Sequence, residues 1–206
     1  MFITLEGPEG SGKTSQIALL AEFIRRQGFS VLVTREPGGT SIGDQIRAVL
    51  HNVENKAMTA VTELLLYSAA RAQHVRELIL PALAAGQVVL CDRYADSTLA
   101  YQGYGRGVDL EDLAAMTRVA TGGLQPDLTL LLDIDVTRGL ARRVAGGEEM
   151  NRLDLETVAF HERVRAGYLQ MAQADPRRWQ CVDADRPVAA VQADLRAIVA
   201  ARLAAR

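Results

Sequence analysis

The chain has 206 residues, of which 49% are hydrophobic and 23% charged, with 17 glycines, 6 prolines and 2 cysteines. This composition fits one compact domain over residues 1–206 and excludes collagen-like, disordered and disulfide-stapled proteins. The formal net charge of -2 gives no basic excess of the kind that indicates binding to nucleic acid or to an anionic membrane. No apolar run approaches the roughly 18 residues of a membrane span, and no signal-peptide pattern opens the chain. We therefore expect a soluble cytoplasmic protein.

Five short apolar runs alternate with longer helical patterns along the chain. The runs cover residues 2–5, 30–34, 87–91, 128–132 and 179–182. Helical periodicity covers 15–27, 62–85, where Pro81 predicts a kink or break, 110–120, 160–174 and 187–206. This alternation predicts an α/β fold in which a parallel sheet of five strands is flanked by helices on both faces.

One segment interrupts this alternation. Residues 142–154 are charged, contain two adjacent glycines and include few residues suited to a core. Such a composition is typical of a solvated loop or of a short mobile lid.

A phosphate-binding pattern, GxxxxGK[ST], lies between the first apolar run and the first helix. Its residues are Gly7, Pro8, Glu9, Gly10, Ser11, Gly12, Lys13 and Thr14. Glycines allow backbone N–H groups to turn toward an anion, and the helix that follows presents its positive end. The pattern predicts a bound nucleoside triphosphate, with Lys13 at the β- and γ-phosphates and Thr14 as a Mg²⁺ ligand. It does not by itself distinguish a kinase from a GTPase switch or a motor ATPase.

Asp92 and Arg93 directly follow the third apolar run. They therefore lie at the carboxyl edge of the predicted sheet, where open α/β sheets bind ligands. A carboxylate there is a candidate Mg²⁺ ligand, and a guanidinium can grip a phosphate in bidentate fashion. Asp133 and Asp135 follow the fourth run and compete with Asp92 for the metal, and spacing does not choose among them.

The histidines and cysteines show no metal-binding spacing. We interpret His51, His74 and His161 as histidines that are either solvated or capped by a hydrogen-bond partner. We interpret Cys91 and Cys181 as buried thiols.

The chain resembles the bacterial thymidylate kinases, which are P-loop nucleoside monophosphate kinases, along essentially its whole length. The resemblance rests on the P-loop with an acid at position 9 and on the segments TREPGGT (34–40), AAR (69–71), DRY (92–94), STLAYQG (97–103), GRG (105–107) and PDLT (126–129). It implies a P-loop NTPase-type fold, a homodimer, and Mg²⁺-dependent transfer of the γ-phosphoryl group of ATP to dTMP. Another nucleoside monophosphate or small-metabolite kinase, or a non-catalytic nucleotide-binding switch, stays open as an alternative.

The resemblance implies a role for several individual residues. Around the phosphates, Arg93 bridges donor and acceptor, Arg47 holds the acceptor phosphate, and Glu9 faces the acceptor's 3′-hydroxyl. The other implied dTMP contacts are Tyr67 stacking on thymine, Arg71 bonding its O4, Gln102 reading the base edge, Ser97 and Thr98 lining the pocket, Tyr101 crowding the 2′ position, and Glu36 closing the pocket.

The resemblance also implies that the lid supplies a catalytic guanidinium. Arg142, Arg143 and Arg152 are the candidates. The segment Asn151-Arg152-Leu153-Asp154 differs from the family's more usual Asp-Arg-hydrophobic-Glu, and residues 146–149 add one position. Which arginine delivers the charge is therefore open at this stage.

Overall fold

The structure is a computed structural model that describes residues 1–147 and 150–204. Five strands form one parallel sheet in the order β2-β3-β1-β4-β5. The strands are β1 (Phe2–Glu6), β2 (Val31–Arg35), β3 (Val88–Asp92), β4 (Leu128–Asp133) and β5 (Trp179–Asp183). Each contains or overlaps a predicted apolar run and ends one residue later. The predicted fold class is confirmed.

Nine α-helices are present in the described part of the chain. They are α1 (Lys13–Arg26), α2 (Ser41–His51), α3 (Ala60–His74), α4 (Leu80–Ala84), α5 (Ala95–Thr98), α6 (Leu110–Thr121), α7 (Val136–Ala145), α8 (Val158–Ala174) and α9 (Val188–Ala204). Two π-helical segments, Val75–Ile79 and Leu99–Gly105, follow α3 and α5. The first joins α3 to α4 just before Pro81, where a residue without an N–H disturbs regular α-helical bonding.

Helices cover both faces of the sheet, because nearly every residue of the central strands is buried and most of their side chains are apolar. On one face, Leu5 shares a buried cluster with Leu20 of α1 and Leu195 of α9. On the other face, Val89 shares a cluster with Ile79. No helix in the described ranges is both long enough and apolar enough to cross a membrane.

The predicted lid differs from the expectation at its start. Helix α7 continues to Ala145, so the first four residues of the segment 142–154 are helical. Its Glu148 and Glu149 lie outside the described residues, as do the last two residues of the predicted final helix.

The topology brings three carboxylates to one edge of the sheet. Glu6, Asp92 and Asp133 end β1, β3 and β4, which are neighbours in the order β3-β1-β4. Because parallel strands end on the same side, the loop after β1 lies beside the residues that follow β3.

Candidate active site

The loop of residues 7–14 is shaped by glycines with positive φ angles. Gly7, Gly10 and Gly12 have φ values of 146°, 70° and 85°. A Cβ atom on Gly10 would lie 1.9 Å from the carbonyl oxygen of Gly139 in α7. The absence of a side chain therefore lets the loop pack directly on α7, while Gly12 begins α1 with space around it.

Lys13 lies inside this loop. Its Nζ donates hydrogen bonds to Gly7 O (2.9 Å), Pro8 O (2.9 Å) and Ser11 Oγ (3.2 Å). Burial and the neighbouring charge of Arg93 lower the pKa of Lys13 to about 8. A phosphate anion in the loop would therefore be stabilised by the ammonium group and would in turn favour its charged form.

Thr14 and Asp92 contact each other across the site. Thr14 Oγ1 donates to Asp92 Oδ2 at 3.2 Å. Asp133 instead accepts from Nε and Nη2 of Arg165, at 2.7 and 2.8 Å, and Asp135 accepts a backbone N–H at the start of α7. Of these three acids, Asp92 is the one bonded to the P-loop, and this position favours it over Asp133 and Asp135.

Arg93 has a backbone conformation that is rare for a side-chain-bearing residue. Its φ is 68°, in the left-handed region, where strain is typical of functional positions. This turn directs its guanidinium to Gly7 O (3.1 Å), Ser97 Oγ (3.4 Å), Tyr168 Oη (3.1 Å) and Glu9 Oε1 (2.8 Å). Arg93 is therefore held in place against the P-loop from several sides.

Glu9 is an ionised carboxylate inside the site. Its Oε1 accepts hydrogen bonds from Arg93 and, at 2.7 Å, from the hydroxyl of Tyr101. Burial raises the pKa of Glu9, but the charges of Arg93 and Lys13 outweigh burial and hold the pKa at about 2. The carboxylate consequently stays charged at any physiological pH.

One face of α3 carries a buried polar stripe. Its residues follow one another at three or four positions, about one helical turn, and all are buried: Glu63, Tyr67, Arg71 and His74. Tyr67 and Arg71 line a cavity of about 540 Å³ that residues of the P-loop also line.

Arg71 is fully buried and held by oxygen atoms. It donates to Glu36 Oε2 (2.7 Å), Thr98 Oγ1 (2.9 Å) and Tyr94 O (3.1 Å). These bonds use three of its five N–H groups, so donors remain for a ligand in the cavity. Glu36, the expected pocket-closing residue, thus also acts as the counterion of Arg71.

His74 and His161 are buried, so neither of them is a solvated side chain. The ring nitrogens of His74 bridge Glu36 Oε1 (3.0 Å) and Thr34 Oγ1 (2.7 Å). Cys181 is exposed rather than buried, whereas Cys91 is buried as expected.

The cavity gathers most of the predicted site residues at the carboxyl edge of the sheet. The candidates from the sequence that do not line it are Gly7, Pro8, Ser11, Arg152 and the alternative metal ligands Asp133 and Asp135. Arg47 lines it from α2, where its Nη1 donates to Pro37 O at 3.0 Å and where burial and the charge of Arg35 lower its pKa. The remaining lining candidates are Glu9, Gly10, Gly12, Lys13, Thr14, Glu36, Tyr67, Arg71, Asp92, Arg93, Ser97, Thr98, Tyr101, Gln102, Arg142 and Arg143.

The three arginines of the predicted lid are not equivalent. Arg142 lines the cavity while donating to Ala184 O and Asp185 Oδ1, both at 2.9 Å. Arg143 also lines it and pairs with Asp154 Oδ2 at 3.0 Å.

Arg152 lies elsewhere. It donates to Leu50 O at 3.1 Å and pairs with Glu63, and it lines a separate cavity of about 390 Å³. This placement favours Arg142 and Arg143 over Arg152 as groups that can reach the P-loop.

Sequence reasoning missed Glu6 and Tyr168. Tyr168 accepts a hydrogen bond from Arg93 and donates one to Glu6. Glu6 is fully buried and accepts from Tyr94 N (2.8 Å), Ser97 Oγ (2.6 Å) and Tyr168 Oη (2.9 Å). Burial and the charge of Asp96 raise the pKa of Glu6 to about 7. An acid at the end of a buried strand next to a P-loop was the available signal.

Comparisons with known proteins agree along nearly the whole chain. A family model described as thymidylate kinase matches residues 5–195. A thymidylate kinase from Geotalea uraniireducens is 53% identical over 98% of both chains. One from Thermomicrobium roseum is 58% identical over 90% of this chain and 88% of its own. The crystal structure of a thymidylate kinase from Ehrlichia chaffeensis aligns with a TM-score of 0.78 at 32% identity, covering 97% of each chain.

Proposed function

The chain belongs to the thymidylate kinase family, and we propose that it transfers the γ-phosphoryl group of ATP to dTMP, giving dTDP and ADP. The observation that carries this proposal is that one cavity has the P-loop at one side and the Tyr67–Arg71 face of α3 at another. Two nucleotides can thus meet there with their phosphates together. We propose that the reaction takes place in the cytoplasm.

The donor side is the P-loop. Its backbone N–H groups and the start of α1 would hold the phosphates of ATP, and Lys13 would exchange its present loop carbonyl partners for β- and γ-phosphate oxygens.

The acceptor side is lined from α2, α3 and the turns after β3. Tyr67 would stack on thymine, Arg71 would donate to its O4, and Arg47 would hold the phosphate of dTMP. Glu9 and Tyr101, which are hydrogen-bonded to each other, would face the sugar. Ser97, Thr98, Gln102 and Glu36 would complete the pocket.

The chemistry needs little proton transfer, because the acceptor is a phosphate dianion. An acceptor oxygen forms a bond to the γ-phosphorus while the bond from that phosphorus to the β,γ-bridging oxygen breaks. Catalysis is then mainly alignment and neutralisation of charge. Lys13 and Arg93 would surround the transferred group, with Arg142 or Arg143 supplying a further guanidinium from the lid.

Thr14 and Asp92 suit a hard divalent cation such as Mg²⁺. They offer a hydroxyl and a carboxylate oxygen 3.2 Å apart beside the P-loop. No group of three or more His, Cys, Asp or Glu side chains suited to a metal occurs within residues 1–147 and 150–204. The ion would take its other ligands from phosphates and water, and when bound it would neutralise phosphate charge. Chelation by EDTA should abolish turnover, and added Mg²⁺ should restore it.

We also propose a homodimer formed through α2 and α3. Val61 and Leu65 lie on one face of α3 and are 60% and 49% exposed, and Ile42 and Val49 of the adjoining α2 are 51% and 45% exposed. Paired exposed apolar side chains of this kind indicate an interface. Sedimentation equilibrium should give twice the chain mass, and Leu65→Asp should give the monomer.

Acceptor-stimulated ADP release tests the proposed reaction. The chain with ATP and Mg²⁺ should release ADP rapidly with dTMP, more slowly with dUMP, and at background rates with UMP, CMP, AMP and GMP. A preference for another monophosphate would identify a different kinase. ATP binding without acceptor-stimulated release would identify a nucleotide-binding switch.

A further inference from the structure

Glu63 is a buried acid that the proposed reaction does not use. It lies on α3 one turn before Tyr67 and is 1% exposed. Its Oε1 accepts from Gln102 Nε2 at 2.7 Å, and its carboxylate also pairs with Arg106 and Arg152. In the part of the chain that the structure describes, each side chain bonded to this carboxylate is a donor.

The surroundings keep Glu63 ionised. Burial raises its pKa, but hydrogen bonds from Gln102 and Arg106 and the charge of Arg106 outweigh burial and hold the pKa below its usual value. An ionised carboxylate can only accept hydrogen bonds. The amide of Gln102 must therefore turn its Nε2, and not its Oε1, toward Glu63.

With Nε2 of Gln102 turned toward Glu63, the side-chain carbonyl oxygen Oε1 is available to accept a hydrogen bond from a ligand in the cavity. Gln102 is buried and lines the same cavity as Arg71. Within residues 1–147 and 150–204, no donor bonds to Gln102 Oε1. The site thus presents a guanidinium donor from Arg71 and a fixed amide acceptor from Gln102.

Such a pair complements one kind of pyrimidine edge. Thymine and uracil carry an acceptor at O4 and a donor at N3–H, whereas cytosine carries a 4-amino donor and an acceptor at N3. A reversed amide at Gln102 would offer a donor to N3 and would suit cytosine at that position.

We propose that Glu63 is a specificity-determining positioning residue: by fixing the amide of Gln102, it makes the site select 4-oxo over 4-amino pyrimidine nucleotides. The inference rests on the proposed binding of dTMP between Arg71 and Gln102. Glu63 touches neither nucleotide and acts through Gln102 alone.

The test compares the affinities of dUMP and dCMP. Both lack the 5-methyl group, so they differ only at N3 and C4. In Glu63→Gln, the new amide can donate as well as accept, so the amide of Gln102 can turn either Nε2 or Oε1 toward residue 63. We expect the ratio of the Kd of dCMP to that of dUMP, measured by calorimetry, to fall about tenfold from its wild-type value. A change of less than twofold in a folded variant would overturn the proposal.

Two controls separate positioning from general damage. Glu156→Gln makes the same substitution at another carboxylate that pairs with Arg106, and it should leave the Kd ratio within twofold of wild type. In a Gln102→Ala background, Glu63→Gln should have no further effect on the ratio, because the amide through which it acts is gone. An equal fall in the ratio in either control would show that the buried charge cluster, and not the amide, is responsible.

A measurement on the wild-type chain keeps the test independent of variant folding. In ¹H–¹⁵N spectra, one side-chain amide proton of Gln102 should resonate downfield because it bonds a carboxylate, with its assignment given by Gln102→Ala. Gln102 amide protons at the positions of exposed glutamines would refute the proposed orientation. Failure of the wild type to phosphorylate dTMP would instead refute the proposed function, so the two failures are distinguishable.

Discussion

Arg93 Nη2 lies 2.8 Å from Glu9 Oε1, and this ion pair joins the P-loop to the turn after β3. Both side chains are less than one-fifth exposed. Two motifs that are 84 positions apart in sequence thus form one charged unit. Preorganisation of this kind lowers the cost of aligning charges in a transition state.

Replacement of Lys13 should abolish turnover. We expect Lys13→Ala to lower kcat by on the order of 10³ or more, because the transferred group loses its nearest ammonium. Steady-state ADP release measures the effect. Lys56→Ala is the matched control, since Lys56 is exposed and is the only other lysine in the chain. Retention by Lys13→Ala of more than a tenth of the wild-type rate would contradict the role given to Lys13.

Loss of Arg71 should affect the acceptor far more than the donor. We expect Arg71→Ala to raise the KM for dTMP by about 10- to 100-fold, since a buried donor to the base is lost, and to change the KM for ATP less than threefold. Arg76→Ala is the control, because Arg76 follows on the same helical segment but is exposed. Equal effects on the two KM values would place Arg71 outside the base pocket.

The lid arginines should differ in their contribution to kcat. We expect Arg142→Ala or Arg143→Ala to lower kcat by about 10²-fold or more, and Arg152→Ala to have a smaller effect because it lies outside the cavity. Arg138→Ala is the control on the same helix, where its side chain is 64% exposed. Unchanged kcat in both Arg142→Ala and Arg143→Ala would remove the lid from the mechanism.

Glu6 should make the folded chain lose stability as pH rises. Its pKa is about 7 in the folded state against an ordinary value of 4.5, so folding is penalised increasingly between pH 4.5 and 7 as the carboxyl ionises. Glu6→Gln lacks this penalty. Its free energy of unfolding relative to wild type should increase across this range by on the order of 2 kcal/mol and level off above it.

Urea denaturation at intervals from pH 4.5 to 8 measures this difference. Hydroxyls of Ser97 and Tyr168 can accept from the new amide, so the variant should keep the packing of the site. A difference in unfolding free energy that is constant with pH would show that Glu6 does not titrate in this range.

Sequence patterns predicted those parts of the structure that are formed by residues close together in the chain. Each strand is a short apolar run, and the P-loop is eight consecutive residues, so both are visible in the sequence. Helix α2 and the segment from α5 through the following π-helical turn were not predicted. Gly43 in the first, and Gly103 and Gly105 in the second, weaken the helical pattern, although each glycine is needed where a neighbouring group packs too closely for a Cβ atom.

The missed site residues depend on contacts between distant positions. Tyr168 reaches Glu6 across 162 positions, and Arg152 reaches Glu63 across 89. No periodicity reports such a pair. The stripe of Glu63, Tyr67, Arg71 and His74 was the exception, since its helical spacing could have placed Glu63 beside the base pocket.

Two glycines determine how closely the P-loop packs against α7, the helix that carries Arg142 and Arg143. Gly10 lies against the carbonyl of Gly139, and a Cβ atom on Gly139 would in turn lie 2.3 Å from the carbonyl oxygen of Glu9. A methyl group on either glycine would clash with the backbone of the other element. It would push α7 away from the P-loop and increase the distance from the guanidinium groups of Arg142 and Arg143 to the bound phosphates, although no polar group would change.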